Sequence, residues 1–141
     1  MQASTLLLFV LWFKIIVTLV FWSVPLLFLR QSFMQRLGIP VPEPFLFIRL
    51  LGGAYMALVV GYGLGVRDVQ LNRDVTDTVW VGIVSNGLAC IILLYYGYAG
   101  AWKAWRCLAQ IYMALSALLT GGITLGLIWS GLLAGGATGE N

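Results

Sequence analysis

Residues Leu6–Leu29, LLLFVLWFKIIVTLVFWSVPLLFL, carry a single charge, Lys14. About 20 consecutive apolar residues let an α-helix cross the hydrocarbon core of a bilayer, and this stretch is long enough. Three more stretches of the same kind follow: Phe45–Val66, Thr78–Tyr98 and Cys107–Leu133. Charge is almost confined to the gaps between them. The fold class follows: an all-α integral membrane protein, predicted to be an antiparallel four-helix transmembrane bundle. Residues 1–134 form its single domain, and 135–141 are a small, polar tail expected to be flexible.

Composition agrees with that class. The chain has 141 residues, of which 61% are hydrophobic and 9% charged, whereas a soluble domain carries about 25% charged residues. The net charge of +3 is small and scattered, which speaks against nucleic acid as a partner. A cleaved leader is not expected at the first stretch. No basic residue precedes it, its apolar run exceeds a typical signal core, and no small-x-small site follows Leu29.

Charge sets the expected orientation. Arg30, Arg36, Arg49, Lys103 and Arg106 fall on the side of the first and third loops; the other side holds Arg67 and Arg73 beside Asp68, Asp74, Asp77 and Glu140. Lysine and arginine are retained in the cytoplasm. Loops one and three are therefore predicted to be cytoplasmic, with both termini outside an inner membrane. Trp102, Trp105, Tyr95, Tyr96 and Tyr98 would form the inner aromatic belt, and Trp80, Tyr62 and Trp129 the outer one.

The loops are short. Ser32–Leu37 suits one interfacial helical turn, after which Pro40-Val-Pro-Glu-Pro44 forces an extended path. Pro25 should kink the end of the first span by leaving the carbonyl of Phe21 without its donor. The second loop, Arg67–Asp77, pairs its charges locally and offers Asp74, Thr76 or Asp77 as a cap for the third span.

Small residues mark the packing faces. Gly53, Ala57, Gly61 and Gly65 recur every fourth residue of span two; Gly122, Gly126, Ser130 and Ala134 do so in span four. Such ridges let helix backbones approach closely in lipid. They are expected to pack the bundle internally, with docking onto a larger partner as the alternative.

Much chemistry is excluded. Without histidine the chain lacks the commonest haem and metal ligand and the usual base near neutral pH. Its two cysteines, Cys90 and Cys107, cannot make a tetrahedral thiolate site alone. No cofactor or metal is expected. No phosphate-binding loop, dinucleotide fingerprint or nucleophile elbow is present.

What remains is a short set of polar intruders. Lys14, Tyr55, Ser85, Asn86 and Thr120 fall at comparable depths in their spans. Asn86 is expected to hold the hydroxyl of Tyr55 or the ammonium of Lys14, because an amide in a span seeks a partner across the bundle. The slack in span one favours Lys14 snorkelling to the outer headgroups. Arg49 lies one turn inside span two, where lipid phosphates, an anionic headgroup or a quinone-type carbonyl would suit it. Gln110, Tyr96 and Glu43 are its expected neighbours.

Phe47-Ile-Arg-Leu-Leu-Gly-Gly53, followed by Ala54-Tyr-Met-Ala-Leu-Val-Val-Gly61, resembles the arginine-then-glycine opening of a span in DoxX-like four-helix membrane proteins. The resemblance implies a bacterial inner-membrane protein, of a kind tied in some members to quinone or sulfur redox systems. No further residue carries over. Two functions are expected. The first is a non-enzymatic accessory or scaffold subunit that packs against other membrane proteins or itself. The second is a protein binding a lipid, quinone or small apolar ligand through Lys14, Arg49, Tyr55, Asn86 and Thr120. An enzyme is the third and least favoured reading.

Overall fold

The computed structural model describes residues 2–41 and 43–133; the tail 135–141 and Ala134 of the span-four ridge lie outside them. Four helices are long and apolar enough to cross a membrane. The first, α1, is continuous but changes winding. It runs as an α-helix over Gln2–Val17, as a π-helical turn over Thr18–Ser23, and again as an α-helix over Val24–Phe28. The expected kink at Pro25 is thus a change of register in the preceding turn. There the Val24 N–H donates to the Leu19 carbonyl, five residues back.

The short helix α2 (Gln31–Arg36) follows, with Met34 buried and Phe33 exposed. It ends at Gly38, whose φ of +80° belongs to the left-handed region. A Cβ there would also lie 2.5 Å from that of Arg106, so this turn requires glycine twice over. Arg106 donates to the Arg36 carbonyl at 2.9 Å and ties loop three to loop one.

Helix α3 (Leu46–Gln70) runs a full turn beyond the expected Val66. Arg67 and Asp68 are therefore helical, and the expected local pairing forms from there: Asp68 meets Arg67 at 3.3 Å and Arg73 at 3.8 Å. Helix α4 (Thr76–Tyr98) starts after Val75, which makes no side-chain cap. Instead Asp74 accepts the Thr76 N–H at 3.0 Å and the Thr76 hydroxyl at 2.7 Å, an Asx turn leading into the helix. The last long helix, α5, is α-helical over Cys107–Leu127 and π-helical over Ile128–Leu133.

α1 packs on both α3 and α5, and α4 packs along α5. α3 and α4 touch sparsely, and α3 and α5 do not meet. Two helix pairs, α1–α3 and α4–α5, therefore join through α1 and α5. Leu7, Leu11 and Ile15 of α1 meet Tyr62, Val66, Val79, Ile123 and Leu127 in one apolar core. Several polar side chains are buried and many apolar ones face out: Lys14, Thr18, Ser23, Asn86, Ser116 and Thr120 are inside, while Phe9, Phe28, Ile91, Leu118 and Leu125 are more than 60% exposed.

The small-residue ridge of α3 does not pack internally as expected. Gly53 and Gly61 have open space where a Cβ would stand, and Ala57 is exposed. Only Gly65 meets a neighbour, Thr78. The close approach to α1 is made at Gly52, which faces Leu26 and Leu27 and whose carbonyl accepts the Ser23 hydroxyl at 3.3 Å. In α5, Gly126 packs against Val10 while Gly122 faces open space.

Candidate functional site

The sparse contact between α3 and α4 leaves a cavity of about 840 Å³ between the two helix pairs. Most of its wall is apolar: Trp22, Leu26, Ile48, Leu51, Leu93 and Met113 are among the lining residues. Met34 and Leu37 line it from the loop-one end. Leu51 of α3, Leu88 and Ile92 of α4 and Leu108 and Ile111 of α5 line the cavity and are also about half exposed, and the sparse contact between α3 and α4 gives it an opening there. Volume and lining suit a small-molecule pocket, which typically holds about 300–1,000 Å³.

Polar side chains interrupt that wall. Lys14, Tyr55, Ser85, Asn86 and Thr120, expected at one depth, all line this cavity, joined by Thr18, Tyr62 and Ser116. Their pairings differ from expectation. Lys14 is 1% exposed and does not snorkel. Its ammonium donates to the Gly82 carbonyl at 3.2 Å and sits 3.8 Å from the centroid of the Tyr62 ring. The glycine permits this approach, because a Cβ at residue 82 would lie 3.0 Å from Lys14 Nζ.

Asn86 reaches neither Tyr55 nor Lys14 directly. Its amide donates to the same Gly82 carbonyl at 2.7 Å, and the Ser85 hydroxyl donates there too, at 3.2 Å. One backbone oxygen thus collects the lysine, the amide and the hydroxyl. Tyr62, not Tyr55, is the aromatic partner. Its hydroxyl shares a 3.0 Å hydrogen bond with Ser85, and the residue is 1% exposed instead of lying in an outer belt. Tyr55 stacks on Trp22 at 6.0 Å. The Thr120 hydroxyl bonds back to the Ser116 carbonyl at 2.8 Å within its own helix. The Ser116 hydroxyl is buried and has no hydrogen-bond partner.

Arg49 stands apart from this cavity. Its guanidinium donates to the carbonyls of Leu26 at 2.9 Å and Leu29 at 2.8 Å, and lies over the Phe45 ring. It closes the end of α1, where the final carbonyls lack intrahelical donors. Its expected neighbours are engaged elsewhere: Glu43 accepts from Gln31, and Gln110 donates to the carbonyls of Lys103 and Trp105. Tyr96 is exposed and packs edge-on against Tyr95.

Thr18, Tyr62, Tyr112 and Ser116 are polar lining residues outside the set expected from depth. Tyr62 follows Tyr55 by seven residues, two helical turns on the same face of α3, and Ser116 precedes Thr120 by one turn. That spacing carries the signal. Among the described residues no group of histidine, cysteine or carboxylate side chains has the composition of a metal site. Chemically the cavity is an apolar enclosure whose lining holds one cation, Lys14, and neutral polar groups spread along the wall, among them the unpaired Ser116 hydroxyl. No family model, curated protein or solved structure matches the chain.

Proposed function

We propose that this chain is an antiparallel four-helix inner-membrane protein that takes an amphiphilic, lipid-type molecule from the bilayer into its cavity. The carrying observation is the cavity itself: about 840 Å³, apolar over most of its wall, with Lys14 buried in that wall. Buried polar groups beneath an apolar exterior suit a hydrocarbon surround. An intramembrane lysine that faces the bundle interior marks a ligand or ion pathway by default. The mouth between α3 and α4 would open sideways into the lipid, so an apolar chain need not cross water to reach the polar wall.

The test is native mass spectrometry of the protein released from lipid nanodiscs. Adducts of lipid mass are expected on the wild type. They should be lost from an Ala89→Phe variant, which places a ring where Ala89 lines the cavity. Equal adducts on both proteins would count against the reading. Orientation is tested separately: a C-terminal reporter active only in the cytoplasm would overturn the assignment of both termini to the outside.

A second reading, an accessory subunit beside other membrane proteins or a second copy of itself, is favoured by the outward ridge of Gly53, Ala57 and Gly61. Small residues on a lipid-facing helix permit close helix–helix approach. Gly61→Leu would then release a partner, or a second copy, that co-purifies with the wild type in mild detergent.

A further inference from the structure

We infer that the molecule held in this cavity carries a single carboxylate, as a long-chain fatty acid does, and that Lys14 is its counter-ion. The inference rests on the ligand-binding reading above and specifies the headgroup. Lys14 has no acidic partner: none of the described acidic residues, Glu43, Asp68, Asp74 and Asp77, lines the cavity. The ammonium has three N–H donors, and among the described residues it donates one hydrogen bond, to the Gly82 carbonyl. A charge buried among neutral dipoles is costly, and a bound anion offsets that cost.

A carboxylate has two acceptor oxygens, enough to take the ammonium's remaining N–H donors. Charge selects among anions. One lysine balances one negative charge, whereas a phosphomonoester carries about −1.5 to −2 near neutral pH. The long apolar wall accommodates the chain, and the mouth between Leu51 and Leu88 gives it a route from lipid.

The experiment uses the full chain in phosphatidylcholine nanodiscs. The probe is a long-chain fatty acid bearing a diazirine, cross-linked by light and mapped by peptide mass spectrometry. Palmitate, hexadecanol and lysophosphatidic acid are the unlabelled competitors. Cross-links on α3, α4 or α5 residues of the cavity wall are expected, with palmitate displacing the probe about tenfold or more better than hexadecanol. Lys14→Met should abolish that preference while hexadecanol still competes. The comparison of palmitate with hexadecanol on the wild type keeps the test decisive if Lys14→Met does not fold.

Palmitate and hexadecanol competing equally in the wild type would overturn the carboxylate and leave lipid binding standing. Stronger displacement by lysophosphatidic acid than by palmitate would overturn the single-charge argument. Absence of any saturable labelling would overturn the ligand-binding reading, and the inference with it.

Discussion

The hydroxyl of Tyr112 in α5 donates to the backbone carbonyl of Phe21 in α1. In an α-helix that oxygen would bond the N–H of residue 25, and residue 25 is proline. A side chain from one helix pair thereby supplies what the backbone of the other pair cannot. The two rings also stack, with centroids 6.4 Å apart.

This relationship predicts a coupled pair of substitutions. Tyr112→Phe keeps the ring and removes the donor, so it should destabilise the protein by about 0.5–1.5 kcal/mol. Pro25→Ala restores a backbone N–H. In that background Tyr112→Phe should cost less. Thermal unfolding of the four proteins in detergent gives the coupling directly, and strictly additive losses would refute it.

Arg49 is predicted to act on stability and not on ligand affinity. Its fork spans two carbonyls at the end of α1, a geometry that lysine cannot reproduce. Arg49→Leu should cost about 1.5–3 kcal/mol, the worth of hydrogen bonds to a charged group. Arg49→Lys should recover only part of it. Fatty-acid affinity of the folded fraction should be unchanged in both.

The neighbouring glycines 52 and 53 should respond in opposite ways to alanine. At Gly52 the new Cβ would lie 3.0 Å from the Leu27 backbone nitrogen and 2.9 Å from Leu27 Cγ. Relief requires α1 to move, so a loss of about 1–3 kcal/mol is expected. At Gly53 the Cβ enters open space. Alanine there should be neutral or stabilising by up to about 1 kcal/mol through helix propensity. Melting temperatures of the two variants decide the point.

Asp74 should titrate below the usual carboxylate range. The hydroxyl and backbone N–H of Thr76 stabilise its charged form, the hydroxyl more strongly. A carboxylate whose folded-state pKa is depressed adds stability above its unfolded value of about 3.9, and that stability is lost as pH falls through the folded value. Carbon-detected NMR should place its midpoint below about 3.9. Asp74→Ala should speed hydrogen exchange at the Thr76 amide, and an unchanged exchange rate would argue against the Asx turn.

The sequence by itself determined the four long helices and their approximate ends, because length and apolarity are local properties. Charge segregation carried the expected sidedness, and equal depth drew attention to Lys14, Tyr55, Ser85, Asn86 and Thr120. What depth cannot specify is rotation about a helix axis. Only the tertiary structure decided that Gly52 packs while Gly53 faces out, and that Tyr62 instead of Tyr55 sits beneath Lys14. It also turned Arg49 from a headgroup ligand into the closure of α1. Each outcome depends on which neighbouring helix stands opposite a given face, and helix pairing is non-local. The cavity is the extreme case. It exists because α3 and α4 hardly touch, a relation between two helices that no stretch of residues encodes alone.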